Sequence, residues 1–197
     1  MLDESNKKYH FIKLLVTGLK KYHLTTYLHS VRVSHLTYLI SQKWGLPKEE
    51  QIYNAMGGLL HDIGKKLIPI SLLEKPAPLS ELEYEIMREH PIDGAEILKL
   101  FPPLEELVPA VLYHHERLDG SGYPFGTNII PLSAQIIGVC DSFDAMTTER
   151  PYNKKRLKSI TEAIAELKSQ PQKYNYKVVE ALEEILKERS DVRYKNI

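Results

Sequence analysis

Residues 57–65 read GGLLHDIGK. The stretch sets a histidine and an aspartate, His61 and Asp62, at the end of an apolar helix, followed by Gly64 and Lys65. A carboxylate in that place is costly unless something pairs with it. Working outward, the same pattern recurs. His29 shares a helical face with Val33, Leu36 and Ile40, His90 closes a helix, and His114 and His115 follow the apolar run LVPAVLY. Asp141 follows AQIIGVC, on the face of Ala134 and Ile137. A single histidine in such a position is ordinarily a core residue with a hydrogen-bond partner. Five histidines and two aspartates at helix ends and on core faces are better explained by a shared cation, which pairs the carboxylates and uses neutral imidazoles as ligands.

The spacing of apolar residues predicts a chain that is almost all helix. Helices are expected over residues 5–21 (through Phe11, Leu14, Leu15 and Leu19), 25–44, and from Pro47 or Lys48 to about Ile63. GKKLIPISLLEKPAP, with three prolines, reads as loop. Ser80 and Glu83 form a capping-box pattern that starts a helix toward His90, and Pro91 opens the next. Further helices are expected over 104–116, 131–147, 157–169 and 174–189. No strand pattern, repeat or interdomain linker competes.

The bulk composition narrows the class. The chain has 197 residues, 43% of them hydrophobic and 26% charged, a globular composition of single-domain size. Its 26 basic and 26 acidic residues cancel, which argues against a coat for a nucleic-acid polymer. Cys140 is the one cysteine, so an internal disulfide framework is excluded, and a reducing cytoplasm is the expected compartment. No apolar run reaches membrane-spanning length, and the start of the chain is unlike a secretory signal.

The ligand types limit the metal. Nitrogen and oxygen donors without thiolate argue against a finger-type zinc site and suit iron, manganese, zinc or nickel. Seven ligands exceed the needs of one ion. Two ions sharing a carboxylate, for which Asp62 is the natural bridge, would suit phosphoester hydrolysis. After the histidine doublet, residues 114–124 read HHERLDGSGYP. Gly120 and Gly122 give a tight loop there, Pro124 stiffens its exit, and Tyr123 either packs under a ligand or faces a partner.

HDIGK together with HHERLDGSGYP resembles the HD-GYP family, a branch of the HD phosphohydrolases. The likeness runs from about Thr26 to about Glu180 and includes HSVRV, REHPIDGAEIL and DSFDAMTTERPY. It implies an all-α helical bundle around a multinuclear metal centre, with an irregular GYP loop. It also implies hydrolysis of cyclic di-GMP to pGpG and often on to GMP. The metal ligands it implies are His29, His61, Asp62, His90, His114, His115 and Asp141, the residues already singled out. Lys65 would reach a substrate phosphate, Asp144 would orient the attacking water or help protonate the leaving oxygen, and Arg150 would bind phosphate. Three-metal members carry a Glu one turn before the first histidine. Here that position is Thr25, so two divalent ions, iron or manganese, are expected, with His29 at the edge of the centre or behind it.

The expected organisation is an N-terminal helix over 1–22 that packs on the core or dimerises, a catalytic unit over 23–190, and a tail over 191–197. Family members often place a receiver, sensor or membrane domain where this helix stands. Two other readings stay open. One is an HD-type hydrolase of another nucleotide. The other is a catalytically silent module that docks a GGDEF-domain partner through the Gly120–Pro124 loop.

Overall fold

The structure, a computed structural model, describes residues 4–149 and 157–188. The helices are α1 (Glu4–Tyr22), α2 (Leu24–Lys43), α3 (Lys48–Leu60), α4 (Ile70–Leu73), α5 (Glu81–Arg88), α6 (His90–Lys99), α7 (Val108–Leu112), α8 (Leu132–Thr147), α9 (Ile160–Lys168) and α10 (Tyr176–Glu188). Two 3-10 segments, Ile63–Leu67 and Pro102–Leu107, complete the order. Among the described residues there is no strand, and no helix is long and apolar enough to cross a membrane.

Two apolar clusters build the core. In one, Val33, Leu36 and Ile40 of α2 pack against Ile136, Val139 and Phe143 of α8 and Val178 and Leu182 of α10. In the other, Ile12, Leu15 and Leu19 of α1 cover Leu60, Ile63, Leu98, Leu104, Leu107 and Val111. Each fully buried leucine or isoleucine contributes about 1.5–3 kcal/mol relative to leaving it in water. The elements that carry the polar residues contribute to both clusters.

Three local readings are corrected. In α1, Ile12 points inward and Leu14 outward, with 55% of its surface exposed. The stretch expected as loop after Gly64 contains the first 3-10 segment and α4, which seat Ile68, Leu72 and Leu73 in a small cluster of their own. The helix expected over 104–116 is a 3-10 segment followed by α7, which ends at Leu112. His114 and His115 therefore sit in a turn beyond the helix. The capping box at Ser80 and Glu83 forms as read, and Pro91 lies in the first turn of α6. Arg150 and the tail 191–197 lie outside the described residues.

Candidate metal centre

The seven expected ligands come from five places in the fold and converge. His29 comes from the second turn of α2, His61 and Asp62 from the end of α3, and His90 from the start of α6. His114 and His115 come from the turn after α7, and Asp141 from α8. All but His115 are fully or nearly fully buried, and His115 is half-buried. Two groups of three place their ligand atoms within 4.8 Å of one another: His29, His61 and Asp62, and His90, His114 and His115.

Asp62 stands between the groups. Its Oδ1 is 3.3 Å from His90 Nε2, while its Oδ2 is 3.5 Å from His61 Nε2 and 3.7 Å from His29 Nε2. Asp141 also faces both. Its Oδ1 lies 3.0 Å from His29 Nε2 and 4.0 Å from His61 Nε2, and its Oδ2 lies 3.9 Å from His115 Nδ1.

The backbone fixes the tautomers. Nδ1 of His61 donates to the carbonyl of Gly58 at 2.8 Å, that of His90 to Met87 at 2.7 Å, and that of His114 to Val111 at 2.6 Å. In each case the carbonyl lies three residues earlier, in the last turn of a helix. Each ring is thereby left with an Nε2 lone pair aimed at the centre, the arrangement in which a histidine ligates a cation.

The donor set fits divalent metal. His61 Nε2 and Asp62 Oδ1 are buried with no hydrogen-bond partner, which is costly in a metal-free interior. Burial, with neighbouring cationic groups, keeps His90 neutral down to about 4 and holds His61, His114 and His115 below the usual imidazole range. Burial alone would raise Asp62, yet Lys65 and the surrounding imidazoles hold it well below the usual carboxylate range. Neutral imidazoles and ionised carboxylates are the protonation states that bind metal.

His29 is held differently. Burial opposes its charge, but Asp141 and Asp144 outweigh this and raise it to about 9. Its Nδ1 donates to Asp144 Oδ2 at 2.6 Å. Arg32 grips the same carboxylate with Nε to Oδ1 at 2.6 Å and Nη2 to Oδ2 at 2.9 Å. Both Asp144 oxygens are thus engaged, and the carboxylate faces the back of His29 rather than an open position. Where the resemblance assigns Asp144 to the attacking water or the leaving oxygen, its contacts here are with His29 and Arg32. Thr25 sits one turn before His29, half-buried.

Lys65 and Tyr123 flank the centre. Lys65 Nζ lies 2.7 Å from Asp62 Oδ2. The Tyr123 ring stacks on His115, with centroids 4.4 Å apart and planes 21° from parallel.

Two glycine-bearing segments are packed too tightly for a side chain. A Cβ on Gly64 would fall 2.0 Å from the His90 carbonyl oxygen, so this residue lets Asp62 approach the start of α6. Gly120 has the positive φ expected of a turn glycine, but Gly122 does not. Its role is close approach, since a Cβ there would fall 2.4 Å from Glu116 Cα.

Two residues the sequence did not single out complete the site. Arg32 is three residues after His29 on the same helical face, a spacing that could have linked them. Glu116 follows the histidine doublet and is 4% exposed. Its Oε1 accepts the Phe125 N–H at 2.7 Å and its Oε2 the Thr127 N–H at 3.1 Å, which ties the glycine loop to the doublet.

Comparison with known proteins agrees with this geometry. A family model described as HD domain matches residues 11–193. A cyclic di-GMP phosphodiesterase of Pseudomonas aeruginosa is 43% identical over 132 residues, covering 66% of this chain and 32% of that protein. A cyclic di-GMP phosphodiesterase of Thermotoga maritima is 41% identical over 174 residues, covering 86% of this chain and 47% of that protein. The chain thus spans about a third to a half of the length of these relatives. Among solved structures, the HD domain of the phosphodiesterase PgpH of L. monocytogenes, in complex with cyclic-di-AMP, superposes with a TM-score of 0.67 at 19% identity. That match covers 93% of this chain and 98% of that one, and shows a shared fold. With its buried histidine and aspartate side chains and the HDIGK and HHERLDGSGYP motifs, the chain belongs to the HD domain family, in its HD-GYP form.

Proposed function

We propose that this chain is the catalytic unit of a metal-dependent phosphodiesterase that hydrolyses cyclic di-GMP to pGpG, and to GMP by a further turnover. The observation that carries the reading is the pair of three-ligand groups meeting at Asp62, with backbone carbonyls fixing the ring tautomers. The similarity to cyclic di-GMP phosphodiesterases supports the substrate.

Two divalent ions, iron or manganese, would be held by His29, His61, Asp62, His90, His114, His115 and Asp141, with Asp62 between them. When bound, they supply an activated water and neutralise phosphoryl charge. The chain does the rest. Lys65, which pairs with Asp62, would reach a phosphoryl oxygen of the substrate, a point-charge role that suits lysine. Arg150 is assigned to the same charge from its motif. Asp144 and Arg32 hold His29 in one orientation, and Tyr123 walls the side of the centre beside His115. Cys140, buried and free, is compatible with a reducing cytoplasm.

The test is a single anaerobic preparation in which bound metal is quantified and cyclic di-GMP is then supplied with Fe(II) or Mn(II). About two metals per chain with pGpG or GMP released is the expected result. Neither metal nor turnover would overturn the reading. A second reading, docking of a GGDEF-domain partner, is favoured by the outer side of the loop, where Phe125 is 60% and Ile129 83% exposed. Metal-free protein that still binds such a partner would support it.

A further inference from the structure

Helix α5 buries no residue, although Ser80 and Glu83 cap it and Lys75 pairs with Glu83. What it does is carry Tyr84 and Arg88 to the rim of the metal centre. The Arg88 guanidinium carbon lies 5.2 Å from the centroid of the Tyr84 ring and 5.0 Å from that of Tyr123. Tyr123 in turn stacks on His115. A column of Arg88, Tyr123 and His115 therefore runs from solvent to the ligands. Among the described residues Arg88 has no ion-pair or hydrogen-bond partner, and its side chain is exposed. A guanidinium held over two rings, with no acceptor bound, keeps its edge of N–H donors free. That edge matches two oxygens of a phosphate better than it matches the face of a base.

We infer that Arg88 binds the second, non-reacting phosphate of a cyclic dinucleotide while the metal centre holds the phosphate being cut. This inference rests on the phosphodiesterase reading above. A cyclic dinucleotide carries two phosphates on one small ring. Lys65 stands at the centre for the first, and Arg88 stands one aromatic ring further out for the second. Tyr84 and Tyr123 keep the long Arg88 side chain in place, which lowers the entropy lost when it engages an anion.

The experiment compares Arg88→Ala, Arg88→Lys and wild type on two substrates. One is cyclic di-GMP. The other is bis(p-nitrophenyl) phosphate, a diester with no second phosphate. Metal content is measured on each sample as a check of folding. For Arg88→Ala, the ratio of kcat/KM for cyclic di-GMP to that for the simple diester should fall about tenfold or more, through KM. Arg88→Lys should fall between, keeping the charge and losing the fork. An equal fall on both substrates would overturn the inference, because Arg88 would then act only by propping Tyr123 against His115. An unchanged ratio would overturn it as well. Wild type that cuts the simple diester and no cyclic dinucleotide would instead overturn the substrate reading, and the Arg88 role with it.

Discussion

His90 Nε2 lies 3.2 Å from His114 Nε2, and the Nδ1 of each ring already donates to a carbonyl, of Met87 and Val111 respectively. With both protons committed there, two lone pairs face each other in a buried site. Only a proton or a cation between them relieves that contact, and burial keeps both rings neutral. His115 Nε2 completes the same group, 3.2 Å from His90 Nε2.

Removal of Asp62 tests the centre as a unit. Asp62 faces His90 with one oxygen and His29 and His61 with the other. Asp62→Ala should therefore lower metal occupancy in both groups and cut turnover by more than about a hundredfold. Metal analysis and turnover on the same sample check this. Full activity in the variant would rule out the shared-carboxylate assignment.

Asp144→Asn probes orientation rather than ligation. The substitution removes a charge from behind His29 and puts an amide where Arg32 and His29 both donate. Partners of this kind typically contribute about 10- to 100-fold to metal affinity. The expected outcome is weaker metal binding with activity restored at high metal concentration. Titration of the metal-free variant with Mn(II) reads it directly. Activity that stays low at saturating metal would instead favour a role for Asp144 in the chemical step.

The contrast between these residues shows what the sequence could reveal. Asp62 and the five histidines were legible because each stands on an apolar helical face or at the end of an apolar stretch. The long helices α2, α8 and α10 were legible from their apolar faces. Leu14 and Ile12 were exchanged because both fit an apolar stripe along α1, and only packing on the core selects Ile12. Residues 64–73 were missed as structure because Pro69 and the prolines beyond Glu74 break any readable period. The Asp144–Arg32 pair spans 112 positions, and no local pattern encodes it. Glu116 was silent because its partners are backbone N–H groups, which carry no residue identity.

Glu116 supports the loop that carries Tyr123. Glu116→Gln keeps one accepting oxygen and turns an NH2 toward the N–H of Phe125 or Thr127. A buried donor facing a donor costs about 1–3 kcal/mol. Denaturant unfolding should show that loss, and the Phe125 and Thr127 amides should exchange faster with solvent. Because the histidine ligands are held by other carbonyls, metal content should stay near wild type while turnover falls. Unchanged exchange at both amides would show that the loop is held by other contacts.

Stability of the metal-free protein should depend on pH on both sides of neutrality. His90 has its folded pKa lowered from 6.5 to about 4. Above 6.5 it is neutral in both states; below 6.5 the unfolded chain takes up a proton that the folded chain refuses. Its stabilising contribution therefore falls as pH drops from 6.5 toward 4, by on the order of 3 kcal/mol. His61, His114 and His115, also lowered, act in the same direction. His29 is the opposite case, raised to about 9 by Asp141 and Asp144 against the cost of burial. Its contribution is complete below 6.5 and is lost as pH rises through 9. The urea midpoint of metal-free protein should thus peak near pH 6.5 and decline toward both ends. A midpoint that holds level from pH 6.5 down to 4.5 would show that the buried imidazoles are not the neutral, carbonyl-bonded rings described here.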